Sequence, residues 1–209
     1  MTKIYKSRII PVLPHVKGHK ILDIGCVGMG DNDVMGGEDF MFGYLVDKGY
    51  DVLGLDINAD GLKKFKTRGY KAVCFDAQEP YDLKQKFDTI IAEENIEHIS
   101  NLKTYLDNVK NHLNPNGIFI VTTPNAQCLD WIFSMFVFRK PRTNPCHTHM
   151  HSLETFKYLL ESNGFKVIHN EYLQANPDYL NLNGKIMAQI VRFFPARFGR
   201  NMLIVAELK

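Results

Sequence analysis

The sequence predicts an α/β fold: a doubly wound, mostly parallel sheet of seven strands, with an antiparallel C-terminal edge and helices on both faces. Three observations carry this expectation. Short runs rich in Val, Ile and Leu, such as "KILDI", "VLGLDI" and "TIIAEE", lack the polar alternation of a half-solvated sheet, so both of their faces are buried. Segments with apolar residues at helical spacing separate these runs, which places helices over a parallel sheet with right-handed crossovers. The last two apolar runs are close enough to the C-terminus to pair as an antiparallel edge.

In chain order, "KILDIG" is a buried strand running into a polar, glycine-rich turn. "DFMFGYLVDKGY" follows as a helix with Phe40, Phe42, Leu45 and Val46 at helical spacing. "DVLGLDI" is the second strand, "ADGLKKFKTRG" a short helix closed by Gly69, and "YKAVCFDA" and "FDTIIAEE" are the third and fourth strands. The clearest helix is "NLKTYLDNVKNHLNPNG": Leu102, Tyr105, Leu106, Val109 and Leu113 form one stripe, and Pro115 with Gly117 ends it. "GIFIVTTPN" is the fifth strand. Ser152 suits the N-cap of "LETFKYLLESNG", which stops at Gly164, and "FKVIHNEYL" and "NMLIVAELK" are the last two strands.

No Pro/Ser/Gly-rich linker divides the 209 residues, so one domain is expected over 1–209, with 1–19 as a helical lead-in and 125–151 as a lid or substrate segment. The composition, 45% apolar and 23% charged, is that of a globular chain, and a net charge of +2 gives no electrostatic argument for a nucleic-acid partner. Membrane contact is expected to be at most peripheral, since no run approaches a spanning helix. Cys26, Cys74, Cys128 and Cys146 are scattered without a CxxC pair, and the N-terminus lacks a signal peptide's apolar core. Reduced thiols and a cytoplasmic location are the expectation.

In an open α/β sheet the ligand lies beyond the carboxyl ends of the central strands. There the first strand ends in Asp23-Ile24-Gly25-Cys26-Val27-Gly28, with no GxGxxG, which argues against a dinucleotide and a dehydrogenase. Glycine lets backbone approach a ligand closely, while a carboxylate at the tip repels a pyrophosphate and suits a cation. Asp56 closes the second strand, where one carboxylate can accept from two vicinal hydroxyls.

These residues resemble the first motif of class I S-adenosylmethionine-dependent methyltransferases, whose fold is Rossmann-like, and the resemblance runs from about Val16 to Phe165. It implies S-adenosylmethionine as donor, with Asp23, Gly25, Cys26, Gly28 and Glu93 around it, Asp56 and Ile57 at the ribose, and Asp76 and Ala77 beside the adenine. "FDTIIAEENIEHI" is similar to the family's fourth strand with its E-x-x-E-H ending, and "HLNPNGIFIVTTPN" to its fifth strand. Two features depart from the pattern: Val27 replaces the second family glycine, and an acidic loop, "GDNDVMGGED", precedes the first helix. The "DIGCVG" turn, the E-x-x-E-H ending and "NPCH" resemble most closely a subset of methyltransferases associated with sugar modification.

Glu94, Glu97, His98 and His147 are the candidate catalytic residues, with His149 and His151 also within reach of the turn. His98 or His147 suits a general base because imidazole titrates near neutrality. A sugar, glycan-related or other small-molecule hydroxyl is the expected acceptor. The same four residues, two carboxylates and two imidazoles, suit a divalent ion. They resemble the set held by small-RNA 3′-terminal 2′-O-methyltransferases, so a metal-dependent RNA enzyme stands as an alternative, although metal is not the favoured reading. A non-catalytic module that binds S-adenosylmethionine is the alternative outside enzymes. Finally, "CLDWIFSMFVFRKPR" reads as a core-covering helix, a lid over an apolar or sugar-bearing acceptor, or an interfacial element beside anionic lipid, and Arg192 to Arg200 repeats its aromatic and basic character.

Overall fold

A computed structural model describes residues 3–5, 7–28, 39–139, 144–174 and 196–209. Most of the acidic loop, Lys140, Arg142 and the stretch from Arg192 to Pro195 lie outside the described residues. The strands are β1 (Lys3–Ile4), β2 (Lys20–Ile24), β3 (Asp51–Asp56), β4 (Ala72–Cys74), β5 (Phe87–Glu93), β6 (Leu113–Pro124), β7 (Phe165–Gln174) and β8 (Asn201–Leu208). The helices are α1 (Ile9–Val12), α2 (Met41–Asp47), α3 (Ala59–Thr67), α4 (Leu102–His112), α5 (Leu129–Phe138) and α6 (Leu153–Ser162).

The sheet order is β1-β7-β8-β6-β5-β2-β3-β4. β8 runs antiparallel to both β6 and β7, and the other described pairings are parallel. The seven expected strands are all present, with two refinements. β7 and β8 pair antiparallel as expected, with β8 lying between β6 and β7, and the two-residue β1 pairs with β7 as an eighth strand. The expected N-terminal lead-in is therefore partly strand, followed by α1 and a 3-10 turn at Leu13–His15.

Both faces of the sheet are covered, as continuous apolar strands require. On one face Leu22, Ile90 and Phe119 pack against Tyr105, Leu106 and Val109 of α4 and Phe156 and Leu160 of α6. On the other, Ile21, Ile91 and Ile120 meet Phe42 and Leu45 of α2 and Leu62 and Phe65 of α3. Successive residues of each strand thus feed opposite cores.

Local signals fix the helix ends. Asn58 accepts from the Gly61 N–H at 2.9 Å to cap α3, and Ser152 forms a capping box with Thr155 at α6. α4 stops at His112, one residue before its expected last apolar position: Leu113 turns into extended backbone and begins β6, while its side chain still enters the core.

Candidate active site

β2 is the strand at which the chain order reverses, with β3 on one side and β5 on the other, so its carboxyl end is the switch point where a crevice opens. Three acids meet there from three strand tips. Asp23 and Asp56 are 5% and 7% exposed, and Glu93 ends β5 beside them. Burial, then repulsion from Asp56, pushes the Asp23 carboxyl up to about 7. Burial, then Asp23 and Glu94, pushes Glu93 up to about 8. Three acids crowded into low dielectric form a site that a cation would relieve.

The turn after β2 is built on Gly25 and on Asp56. Gly25 has φ of +82°, a conformation that demands glycine, and a Cβ there would lie 2.8 Å from the Asn95 amide nitrogen, which packs close over it. Asp56 spends both oxygens on backbone: Oδ2 accepts from the Val27 N–H at 2.9 Å and Oδ1 from the Asn58 N–H at 2.8 Å. Val27, the departure from the family pattern, is accommodated by a glycine elsewhere. A Cβ on Gly61 of α3 would sit 2.2 Å from Val27 Cγ1, so the room missing in the turn is supplied by the helix.

The other donor-side expectations divide by role. Cys26 is buried, and a Cβ on Gly54 would meet its Sγ at 2.6 Å, so its side chain belongs to the core and only its backbone lines the turn. Gly28 takes φ of +72° and donates to the Gly25 carbonyl at 3.1 Å. Ile57 is 65% exposed at the crevice mouth, whereas Ala77 is buried. Asp76 caps a turn, accepting from the Gln78 N–H at 3.1 Å, next to a Phe75–Tyr81 ring stack with centroids 5.6 Å apart.

Buried Asn108 of α4, not singled out in the sequence, holds this loop by donating to the carbonyls of Ala77 at 3.0 Å and Glu79 at 2.8 Å. Asn108→Ala is expected to lower stability by about 2 kcal/mol, roughly 6 °C in Tm, because two carbonyls lose their donor. Differential scanning calorimetry checks this, and a variant that melts with the wild type would show that the loop does not depend on Asn108.

Beyond β5 the E-x-x-E-H residues form a short 3-10 turn, Ile96–His98, and the four candidate catalytic residues do not gather as one group. Glu97, His98 and His147 come together, with one potential ligand atom from each lying within 4.8 Å of the others. Glu94 is the correction. It stays within electrostatic range of Glu97 but adopts φ of +45°, and its Oε2 accepts from the Asn201 side chain of β8, on the far side of β6, at 2.6 Å.

Glu97 is 1% exposed, and Thr123 of β6 donates to its carboxylate at 3.1 Å. Burial, then Glu94, pushes Glu97 up to about 8. Its carbonyl accepts from the Thr148 N–H at 2.8 Å and the Thr148 hydroxyl at 3.1 Å, which fastens the histidine segment to the turn.

The His98 and His147 rings meet edge to face, with centroids 4.7 Å apart. His98 Nδ1 lies 3.1 Å from the Cys146 carbonyl, which can only accept, so Nδ1 carries a proton and Nε2 is the nitrogen with a lone pair whenever the ring is neutral. Burial, then His98, lowers His147, and its buried Nδ1 has no hydrogen-bond partner among the described residues. His149 and His151 pair with each other instead, and His151 packs on Phe156.

Asn95, Asn108, Asn125 and Asn201 are site-forming residues that the sequence did not single out. Asn125 alone carried a signal, as the last residue of the fifth-strand pattern. The buried Glu93 Oε1 and Asn95 Oδ1, both in the crevice, have no hydrogen-bond partner among the described residues. Two orphaned acceptors beside Asp23 are what a ligand bearing N–H donors and positive charge would satisfy.

Residues 3–170 match the family of the methyltransferase domain. The chain belongs to that family. Among its relatives, the ubiquinone biosynthesis O-methyltransferase of Azorhizobium caulinodans is 31% identical over 53% of this chain and 42% of its own length. The human mitochondrial protein of the same name is 28% identical over 72% of this chain and 42% of its own length. The chain thus spans less than half of each of these two relatives. The methyltransferase also shares its fold with a SAM-dependent methyltransferase from Archaeoglobus fulgidus, at TM-score 0.66 and 21% identity over 95% of this chain and 90% of the other. A glycopeptide N-methyltransferase solved with S-adenosylmethionine aligns at TM-score 0.61 and 13% identity, over 96% and 92% of the two chains.

Proposed function

We propose that this methyltransferase transfers the methyl group of S-adenosylmethionine to a hydroxyl oxygen of a small-molecule acceptor such as a sugar. The observation that carries the reading is His98: its Nδ1 is engaged by the Cys146 carbonyl, which fixes the tautomer of the neutral ring and leaves Nε2 as its basic nitrogen. The sulfonium occupies the site of Asp23, Asp56 and Glu93, the acceptor oxygen attacks the methyl carbon in line, and the carbon–sulfur bond breaks to leave neutral S-adenosylhomocysteine. His98 Nε2 takes the hydroxyl proton. Alignment of oxygen and methyl supplies much of the rate, and the base adds to it. The relatives named for O-methylation support the choice of oxygen. Scattered cysteines without a CxxC pair support a reducing, cytoplasmic setting.

The test is formation of S-adenosylhomocysteine, measured by mass spectrometry across a panel of sugars and small hydroxylated compounds. His98→Gln is expected to lower kcat by about 10²-fold or more while donor affinity is unchanged. A variant with wild-type kcat would remove His98 from the reaction. Donor binding without turnover on any acceptor would favour a non-catalytic binding module.

A second reading rests on the convergence of Glu97, His98 and His147. One carboxylate and two imidazoles can hold a divalent ion that polarises the acceptor oxygen, and this reading brings with it a ribose 2′-hydroxyl of RNA as acceptor. Metal content by mass spectrometry and turnover on a short single-stranded RNA, with and without chelator, decide it. A protein free of metal and indifferent to chelator would dismiss it.

A further inference from the structure

Among the described side chains of α5 the one polar residue, Ser134, is buried. Around the helix axis Met135, Ile132, Phe136, Phe133 and Val137 point in successive directions that span roughly 200° at 100° per residue. Of these, Phe136 is 81% exposed, Val137 53%, Met135 49% and Phe133 48%. Trp131 and Ser134 form the narrow buried face, with the Ser134 hydroxyl donating to the Trp131 carbonyl at 2.9 Å. A helix that is apolar nearly all round is normally buried. This one stands open on more than half of its circumference.

Basic residues are tied to both ends of the helix. Exposed Arg139 closes the helix in a left-handed conformation, φ +54°, and the sequence continues Lys140-Pro141-Arg142. At the other end, Asn125 binds the carbonyls of Arg197 and Gly199 at 2.8 Å each and donates its N–H to that of Arg200 at 2.9 Å. Exposed Arg197 lies over the Phe198 ring at 5.2 Å, with Glu154 within electrostatic range. Arg139 at one end of the helix, and Arg197 through Asn125 four residues before the other end, are thus tied to one apolar helix.

We propose that α5 is an interfacial helix, seating Phe133, Met135, Phe136 and Val137 in an anionic lipid surface while Arg139 and Arg197 meet the headgroups. At 10 residues it is about 15 Å long, half of a bilayer core, so it lies in the interface and does not cross. Charge complementarity selects lipid over a second copy of the chain: an isologous dimer would bring the basic helix ends of both copies to one junction. The inference does not depend on the acceptor or on the role of His98.

Flotation with vesicles of about three parts phosphatidylcholine to one part phosphatidylglycerol tests it. The full chain is expected to float with these vesicles in about 0.1 M salt, and to do so roughly tenfold more weakly with pure phosphatidylcholine or in about 0.5 M salt. Phe136→Ser and Arg139→Glu are each expected to weaken binding roughly tenfold, with thermal unfolding and donor affinity unchanged because both side chains are exposed. Three results would overturn the proposal: a folded wild type that stays behind with anionic vesicles, a Phe136→Ser variant that floats like the wild type, or a dimer in sedimentation velocity that Phe136→Ser dissociates.

Discussion

Replacing Asp56 with alanine is expected to weaken binding of S-adenosylmethionine by about 100-fold or more. The carboxylate's two oxygens hold the Val27 and Asn58 N–H groups at 2.9 and 2.8 Å, so its loss loosens the turn and the cap of α3 together. Each such bond to a charged acceptor contributes about 1.5–3 kcal/mol, and loss of both exceeds the roughly 3 kcal/mol that corresponds to two decades of affinity. Loss of the expected ribose contact adds to this. Asp56→Asn retains one acceptor oxygen and is expected to fall between wild type and alanine. Isothermal titration calorimetry gives the Kd values. An alanine variant within a fewfold of wild type would mean that the donor is not held by this turn.

Donor affinity should also rise with pH, by about tenfold between pH 6 and 8 from Asp23 alone. Asp23 titrates at about 7, mainly through burial, so at pH 6 only about a tenth of it is ionised and at pH 8 about nine tenths. A sulfonium favours the ionised form, and Glu93, raised to about 8, steepens the dependence. Binding near pH 7 therefore expels protons, which calorimetry in buffers of different ionisation enthalpy detects. The sign for the free protein is the opposite. Raised carboxyl pKa values mean that the folded state holds more protons than the unfolded one, so their contribution is fully present below about pH 4 and is lost as pH rises through 7 to 8. The gap in Tm between free and donor-bound protein should widen across that range. A flat affinity profile, or a gap that narrows, would contradict the placement of a cation among these acids.

Much of this molecule is local chemistry and could be read directly. Continuous apolar strands, Ser152 as a cap and the Asp23-Gly25-Gly28 turn each depend on residues a few positions apart, where period, capping and backbone conformation decide the outcome. The sequence by itself determined the doubly wound sheet, the family and the pair of acids, Asp23 and Asp56, at adjacent strand tips. Tertiary structure decided which side chains meet. Glu94 spends an oxygen on Asn201 while still repelling Glu97, Val27 finds its room at Gly61, and His147 reaches His98 because Thr148 is bonded to the Glu97 carbonyl. The periodicity of α5 marks it as apolar, yet only the packed structure leaves most of it facing outward. The physical reason is common to these cases. Hydrophobic period reports that a surface must be covered, while its partner is chosen by backbone hydrogen bonds and shape between segments that meet only when the chain is folded.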